Sequence, residues 1–179
     1  VEFNQVQMVP SEPRHLVPDM PVGGMGGNVR NSFFWSRTAC ATAYGDYSKA
    51  RVYHWLHASD LGSSAAGILE STKEPLESAV YYTYPGQFGS SSSGSSSRPT
   101  QIGRVLDDGQ SQIYTYGYNG FGHVTNSIDP VGRTFSYLYA SNGIDLLEVR
   151  QTRAGNNELL SRMTYNAQHL PLTTIGADG

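Results

Sequence analysis

The sequence predicts an all-β protein built from antiparallel hairpin repeats, and three observations support this fold class. The 179-residue chain contains 20 glycines and 12 tyrosines but only 15% charged residues, against about a quarter in an average globular domain. Short apolar segments alternate with turn dipeptides along the chain. A pattern of glycine and tyrosine also recurs at fixed offsets within residues 109–179.

Residues 1–50 are predicted to form an irregular arm that contains one short strand. Four prolines and a Gly-Gly-Met-Gly-Gly cluster lie between Val1 and Gly27, and both residue types disfavour regular structure there. No Lys-Ser or Lys-Thr follows the glycine cluster, so a phosphate-binding loop is not expected. The aromatic run in residues 32–35 predicts the short strand.

Residues 51–179 are predicted to carry the β repeats, which begin with a strand over residues 51–57. His54 and His57 lie three positions apart in this segment. Side chains at that spacing face opposite sides of a strand, so the two histidines are not expected to bind one metal ion.

Residues 65–77 predict a short helix that Pro75 limits in length. Glu70, Glu74 and Glu77 would then form a charged face in solvent. Paired catalytic carboxylates need burial that the sequence does not indicate, so no acid/base role is expected for these glutamates.

A strand is predicted over residues 80–84, and the next over residues 101–106. Between them, residues 89–98 are almost entirely serine and glycine, which predicts a flexible surface loop that interrupts a repeat. Further strands are predicted between strong turn signals such as Asn-Gly and Asp-Pro. These strands cover residues 112–118, 124–128, 133–139, 146–152, 158–165 and 170–175.

The clearest repeat combines tyrosines with glycine corners. Gly109 precedes Tyr114 and Tyr116 by five and seven positions, and Gly132 precedes Tyr137 and Tyr139 by the same offsets. Tyr-Asn pairs recur in the same way. The spacing from Tyr118-Asn119 to Gly132 equals the spacing from Tyr165-Asn166 to Gly179.

These residues resemble the repeat of the RHS (YD-repeat) family. The match runs through Tyr116, Tyr118, Asn119, Gly122, Val124 and Thr125, continues through Asp129-Pro130-Val131-Gly132-Arg133-Thr134, and ends at Tyr137 and Tyr139. The flanking copies are degenerate, since Asn stands where the family often has Asp and His169 stands at the position that matches Gly122. The resemblance implies that residues 51–179 form a strip of an RHS-type β-spiral shell.

The tyrosines have two possible roles. Tyr114, Tyr116 and Tyr118 alternate along one predicted strand and should share a face, where Tyr137, Tyr139 and Tyr165 could join them. Such a face favours a packing ladder between repeats. The alternative is a carbohydrate-binding platform, because an aromatic ring suits the apolar face of a sugar.

The Asp129-Pro130-Val131-Gly132 motif also has two interpretations. A turn is the ordinary one. The family resemblance raises self-cleavage, because toxin-type RHS proteins cut themselves at a related motif. Here the motif lies inside a repeat, is followed by Arg133, and precedes further repeat sequence, so a turn is favoured.

The charge and the single cysteine limit the possible partners. A formal charge of -3 and a pI near 5.9 provide no basic patch for nucleic acid. No apolar run approaches the roughly 20 residues that span a bilayer. Cys40 has no second cysteine with which to form an internal disulfide. No metal or other cofactor is expected.

The sequence therefore predicts a structural segment of an exported RHS-repeat protein, secreted or on the cell surface. It would form part of a β shell or surface assembly and contact other parts of the same protein, copies of itself or an enclosed toxin. The chain begins with Val1 and ends at a repeat corner, so we expect a piece of a longer protein. The alternatives are a module that binds a surface glycan and a fragment of a toxin or enzyme. No catalytic constellation favours an enzyme.

Overall fold

The computed structural model describes residues 2–4, 31–57, 65–87 and 93–177. These residues are mostly antiparallel β-sheet, which confirms the all-β class. Twelve strands are seen in them, and their order in the sheet follows their order in the chain. No helix among the described residues is long and apolar enough to cross a membrane.

The described residues of the first half of the chain form six strands and two short helical segments. They are β1 (Glu2–Asn4), β2 (Asn31–Phe34), α1 (Arg37–Ala43), a 3-10 turn (Tyr47–Lys49), β3 (Arg51–His57), β4 (Ala65–Lys73), β5 (Val80–Thr83) and β6 (Gln101–Val105).

The second half contains six further strands separated by short corners. They are β7 (Ser111–Tyr118), β8 (Val124–Ile128), β9 (Thr134–Tyr139), β10 (Leu146–Arg153), β11 (Asn156–Tyr165) and β12 (Pro171–Gly176). The strands predicted over this half are confirmed, with each end within two positions of the prediction.

The chain divides into two compact units, Val1–Ile113 and Tyr114–Gly179. The division falls within β7. The first unit contains a small aromatic core, in which Phe33 is fully buried and pairs across strands with Val52. The Tyr47 ring packs against Phe33 with 4.6 Å between ring centroids. Burial of these aromatic side chains stabilises the first unit.

Residues 35–50 close this core through local hydrogen bonds. The Ser36 hydroxyl caps α1 by accepting from the Ala39 amide at 3.2 Å. The Trp35 indole donates to the Asp46 carbonyl at 3.0 Å, and the Asp46 carboxylate accepts from the Ser48 amide. Residues 5–30, where the proline-rich arm was predicted, lie outside the described residues.

The prediction of a short helix over residues 65–77 is wrong. Residues 65–73 form β4, which pairs with β3 from Val52↔Lys73 to His57↔Ala65. Gly67 has a φ of +71°, which a right-handed helix does not allow. Only residues 74–77 turn, with the Glu77 amide donating to the Glu74 carbonyl. Pairing with a neighbouring strand overrides the helix-like charge spacing.

Part of the Ser/Gly-rich segment is fixed against a turn. The Ser95 amide and hydroxyl both donate to the Pro85 carbonyl. A side chain at Gly94 would drive its Cβ into the same oxygen, so only glycine allows this approach. Residues 89–92 of the predicted flexible loop lie outside the described residues.

Candidate functional site

The strand register of the second unit gathers the predicted tyrosines on one face. Tyr116 is paired with Ser127, and Ser127 with Phe135, so these three side chains share a face. Alternation along β7, β9 and β11 adds the remaining members, which are Tyr114, Tyr118, Tyr137, Tyr139 and Tyr165. We call this surface the tyrosine face.

Three of the six hydroxyls of the tyrosine face have partners within the sheet. The Tyr139 hydroxyl donates to the Val124 carbonyl at 3.0 Å, and the Tyr137 hydroxyl lies 3.4 Å from the Ser127 hydroxyl. The Tyr165 hydroxyl donates to the Met163 sulfur. These contacts cross from strand to strand or along a strand, as in a packing ladder.

Burial and neighbouring phenols raise the pKa values of two residues of the tyrosine face. Burial raises the pKa of Tyr116, and the nearby Tyr114 and Tyr137 raise it further. Burial likewise raises the pKa of Tyr139, with added contributions from Tyr137 and Tyr165. Both phenols therefore stay protonated to a higher pH than a free tyrosine and are not bases at neutral pH.

The corners that carry the repeat motif share one hydrogen-bond design. In each, an Asn or Asp side-chain oxygen accepts from the backbone amides two and four positions later. The residue three positions later lies in the left-handed region and donates its amide back to the carbonyl of the first. The three corners are 119–123, 129–133 and 166–170.

This geometry explains the glycines of the motif and the departure at His169. Gly122 and Gly132 have φ values of +84° and +82°, and His169 takes the equivalent place with φ +62°. A non-glycine residue in this region is strained by about 1–2 kcal/mol. His169 makes hydrogen-bond contacts with a neighbouring corner, which offset this strain.

Corners on one side of the second unit are joined to each other by side-chain hydrogen bonds. The Asn119 side-chain amide donates to the Gly143 carbonyl at 2.8 Å, and His123 Nδ1 donates to the same oxygen at 3.0 Å. The Phe121 ring lies over Gly143, where a Cβ would come within 2.5 Å of it. These contacts connect the corner after β7 to the corner after β9.

The next pair of corners is joined by a carboxylate and an imidazole. His169 Nδ1 lies 3.0 Å from each carboxylate oxygen of Asp145, which is buried. The Asn142 side chain donates to Asp145 at 2.7 Å and also lies 3.4 Å from His169. The hydrogen bond from His169 lowers the pKa of Asp145, and the hydrogen bond from Asn142 lowers it further. Together they outweigh burial, which acts to raise the pKa.

We call this series of contacts from Asn119 to His169 the corner ladder. Its members beyond the repeat motif are His123, Asn142 and Asp145, which the sequence did not single out as a site. The Asn-Gly dipeptides at 119–120 and 142–143 marked the turns. Contacts between turns that are distant in sequence depend on strand register, which sequence spacing alone does not supply.

The Asp129 corner lies on the opposite side and is held within itself. Burial opposes ionisation of Asp129, but hydrogen bonds from the Arg133 side chain and backbone outweigh this effect and lower its pKa. The Arg133 guanidinium donates to the carboxylate at 2.5 Å. Pro130 occupies the second position, where its fixed φ suits the turn. The predicted turn is confirmed.

Of the two remaining glycines of the predicted motif, the structure describes Gly109 but not Gly179. Gly109, with φ +82°, makes the corner before β7. Gly179 lies outside the described residues.

A second polar cluster lies in the first unit around His54. Its Nδ1 is 2.5 Å from Asn31 Oδ1, and its Nε2 is 3.3 Å from Glu70. Glu70 is only 3% exposed, so the prediction that it is a solvated charge is wrong, because β4 turns it inward. The His57 side chain lies outside the described residues. The sequence alone does not reveal this cluster, because the charge spacing in residues 65–77 predicts a helix.

Other features of the described residues offer no stronger site. They contain no group of three or more His, Cys, Asp or Glu side chains arranged to hold a metal ion. An open depression of about 540 Å³ lies beside the 104–108 turn. Its lining mixes Arg104 with Glu77, Asp107 and Asp108 and includes the exposed Leu76.

No family model and no curated protein matches this chain. The tyrosine face and the corner ladder are therefore the candidate functional site on their geometry alone.

Proposed function

We propose that the chain is a structural segment of an exported RHS-repeat protein and forms part of a β shell or surface assembly. In such an assembly it would enclose a cargo such as a toxin, or contact other chains. The observation that carries the proposal is the corner ladder, because it joins consecutive hairpins by contacts that could continue from one repeat to the next. Repeats that contact only their neighbours build extended structures in this way.

The thinness of the second unit supports an assembly role. Among its described residues only Asp145 is buried, and large apolar side chains such as Leu138, Ile144 and Leu172 are exposed. A sheet with so little covered surface gains stability when further strands pair with its edge. This is the behaviour expected of a shell segment and not of an independent enzyme domain.

Sedimentation velocity over a range of concentrations tests the proposal. We expect the chain to associate, and Ile175→Lys to weaken association, since a charge on an edge strand disfavours strand pairing. Leu138→Lys is the matched control. Its side chain lies on the same face and in the same cross-strand row as Ile175, but on an internal strand. A monomer at all concentrations, or equal effects of both variants, would contradict the proposal.

Carbohydrate binding by the tyrosine face is the second candidate. It is favoured by Tyr114, which is 43% exposed beside the half-buried Tyr116. Binding calorimetry with bacterial polysaccharides tests it, using Tyr114→Ala to remove the exposed ring and Leu138→Ala as a control on the opposite face. Absence of binding to every polysaccharide, or loss of binding in both variants alike, would reject this candidate.

A further inference from the structure

The hairpin formed by β11 and β12 is a structural copy of the hairpin formed by β7 and β8. Tyr118-Asn119 in the first corresponds to Tyr165-Asn166 in the second. Tyr118 pairs with Val124, and Tyr165 pairs with Pro171. Each hairpin has one register shift immediately before that tyrosine. Further along, Ile175 occupies the position of Ile128.

In the first hairpin the outer edge of β8 is occupied by β9 and the corner that follows it. Ser127 pairs with Phe135, and two tyrosines of β9 reach back across the edge. The Tyr137 hydroxyl meets the Ser127 hydroxyl, and the Tyr139 hydroxyl donates to the Val124 carbonyl. The Gly143 carbonyl then accepts from the Asn119 side chain.

In the second hairpin the equivalent groups have no partner strand among the described residues. Pro171 occupies the position equivalent to Val124, Thr174 the position of Ser127, and Asn166 the position of Asn119. Within the described part of the chain β12 pairs only with β11, and all six of its residues are exposed. The Asn166 oxygen is used by its own corner, whereas its side-chain NH₂ makes no hydrogen bond to any described residue.

We propose that the outer edge of β12 binds an antiparallel strand of Tyr-x-Tyr sequence that is followed by an Asn-Gly corner. This inference rests on the proposed function and specifies its partner. The first tyrosine hydroxyl of that strand meets the Thr174 hydroxyl, and the second donates to the Pro171 carbonyl. The corner carbonyl accepts from the Asn166 side chain. Residues 133–145 of this chain provide the same set of groups to β8.

The occupant is a strand and not a glycan because the open groups belong to a strand edge. The outer edge of β12, which pairs with no other strand among the described residues, offers backbone donors and acceptors at strand spacing, and an extended peptide matches them. The apolar side chains on the strand, Leu172 and Ile175, are 63% and 46% exposed and would be covered by the added strand. One contact differs between the copies. Leu170 occupies the position of His123 and cannot donate a side-chain hydrogen bond, so Asn166 is the one side chain that donates to the corner carbonyl.

A synthetic peptide with the sequence of residues 133–145, acetylated and amidated at its ends, tests the proposal against the full chain. We expect saturable one-to-one binding by calorimetry. We also expect slower hydrogen exchange, by about tenfold or more at saturation, for amides of residues 172–176. Ile175→Lys should abolish binding, and Leu138→Lys should leave it unchanged.

Two further variants test the assigned contacts. Asn166→Asp should weaken binding about fivefold, as expected for one hydrogen bond. A peptide with phenylalanine at the positions of Tyr137 and Tyr139 should bind more weakly than the parent, whereas a scrambled peptide should not bind. Failure of the parent peptide to bind the folded chain, or protection outside β12, would overturn the proposal.

The outcome is distinguishable from that of the proposed function. A chain that self-associates but ignores the peptide would keep the assembly role and refute the Tyr-x-Tyr partner. A chain that stays monomeric and binds the peptide would keep the partner and refute self-association.

Discussion

The two units of this chain differ in how their residues are stabilised. In the first, Phe33 and Leu56 are fully buried, and Trp35, Val52 and Tyr84 are nearly so. Burial raises the pKa of Tyr84 to about 12, and its hydroxyl donates to the Leu69 carbonyl at 2.6 Å. Among described residues of the second unit, none of the large apolar side chains is buried to this degree. Its contacts are strand pairing, the tyrosine face and the corner ladder.

The comparison shows that one fold class can use two sources of stability. A buried core stabilises through apolar area removed from water. A thin repeat stabilises through interactions between neighbours, each worth about 0.5–1.5 kcal/mol when it is a hydrogen bond. Substitutions should therefore have larger single effects in the first unit and smaller, distributed effects in the second.

The largest effect is expected for Phe33→Ala. Removal of this fully buried ring leaves a cavity and should lower the free energy of unfolding by about 3–5 kcal/mol. Phe34→Ala is the control, because its side chain is 45% exposed and its loss should cost much less. Urea denaturation followed by circular dichroism compares the two. Equal effects would mean that burial at Phe33 does not stabilise the first unit.

A smaller effect is expected for Gly143→Ala in the corner ladder. The new Cβ would collide with the Phe121 ring at a residue whose φ is +70°, and overpacking of this kind costs about 1–3 kcal/mol. Gly155→Ala is the control, since that glycine has φ +81° but no atom within 4 Å of the new Cβ. Thermal denaturation of both variants separates steric collision from backbone strain. If Gly143→Ala lowered the Tm no more than Gly155→Ala does, the role of the Phe121 contact would be contradicted.

Acid should weaken the second unit through Asp145. Because the hydrogen bond from His169 lowers its folded pKa below the unfolded value, ionised Asp145 stabilises the unit above the unfolded pKa. That contribution is lost as the pH falls through the lower folded pKa. NMR titration of the carboxyl group should give a midpoint below 3.8. Asp145→Asn should remove this acid dependence. A titration midpoint of the Asp145 carboxyl group at or above 3.8 would refute the stabilising role of its ionised form.

The smallest effect is expected for Asn119→Asp. The carboxylate keeps the two backbone hydrogen bonds of its corner but loses the donor to the Gly143 carbonyl, which should cost about 1 kcal/mol. Asn166→Asp is the matched control. Its corner is the same, but its side-chain NH₂ has no partner among the described residues. Chemical denaturation monitored by tyrosine fluorescence compares the two variants. Equal losses of unfolding free energy in both would argue against the contact with Gly143.

Local sequence signals predicted most strands and corners of the second unit. Asp129-Pro130 and Asn119-Gly120 determine turns through their own backbone preferences. The alternating tyrosines likewise follow from strand geometry. These features depend on residues close together in sequence, and the structure places them where the spacing predicted.

Features that depend on distant residues were not predictable in the same way. The charge spacing in residues 65–77 imitates a helix, and only pairing with β3 makes residues 65–73 a strand. That pairing also buries Glu70 beside His54. The contact of Asp145 with His169 needs the register of two further strands. Such contacts arise from the fold and leave no local signature.

Native-state hydrogen exchange measured amide by amide tests the difference between the two units most directly. We expect amides of β3, around Val52 and Leu56, to exchange through an opening of higher free energy than amides of β8 to β10. Asp145→Asn should then lower the opening free energy of β8 to β10 and leave that of β3 unchanged. A single opening free energy shared by both units and shifted equally by Asp145→Asn would contradict two separate sources of stability.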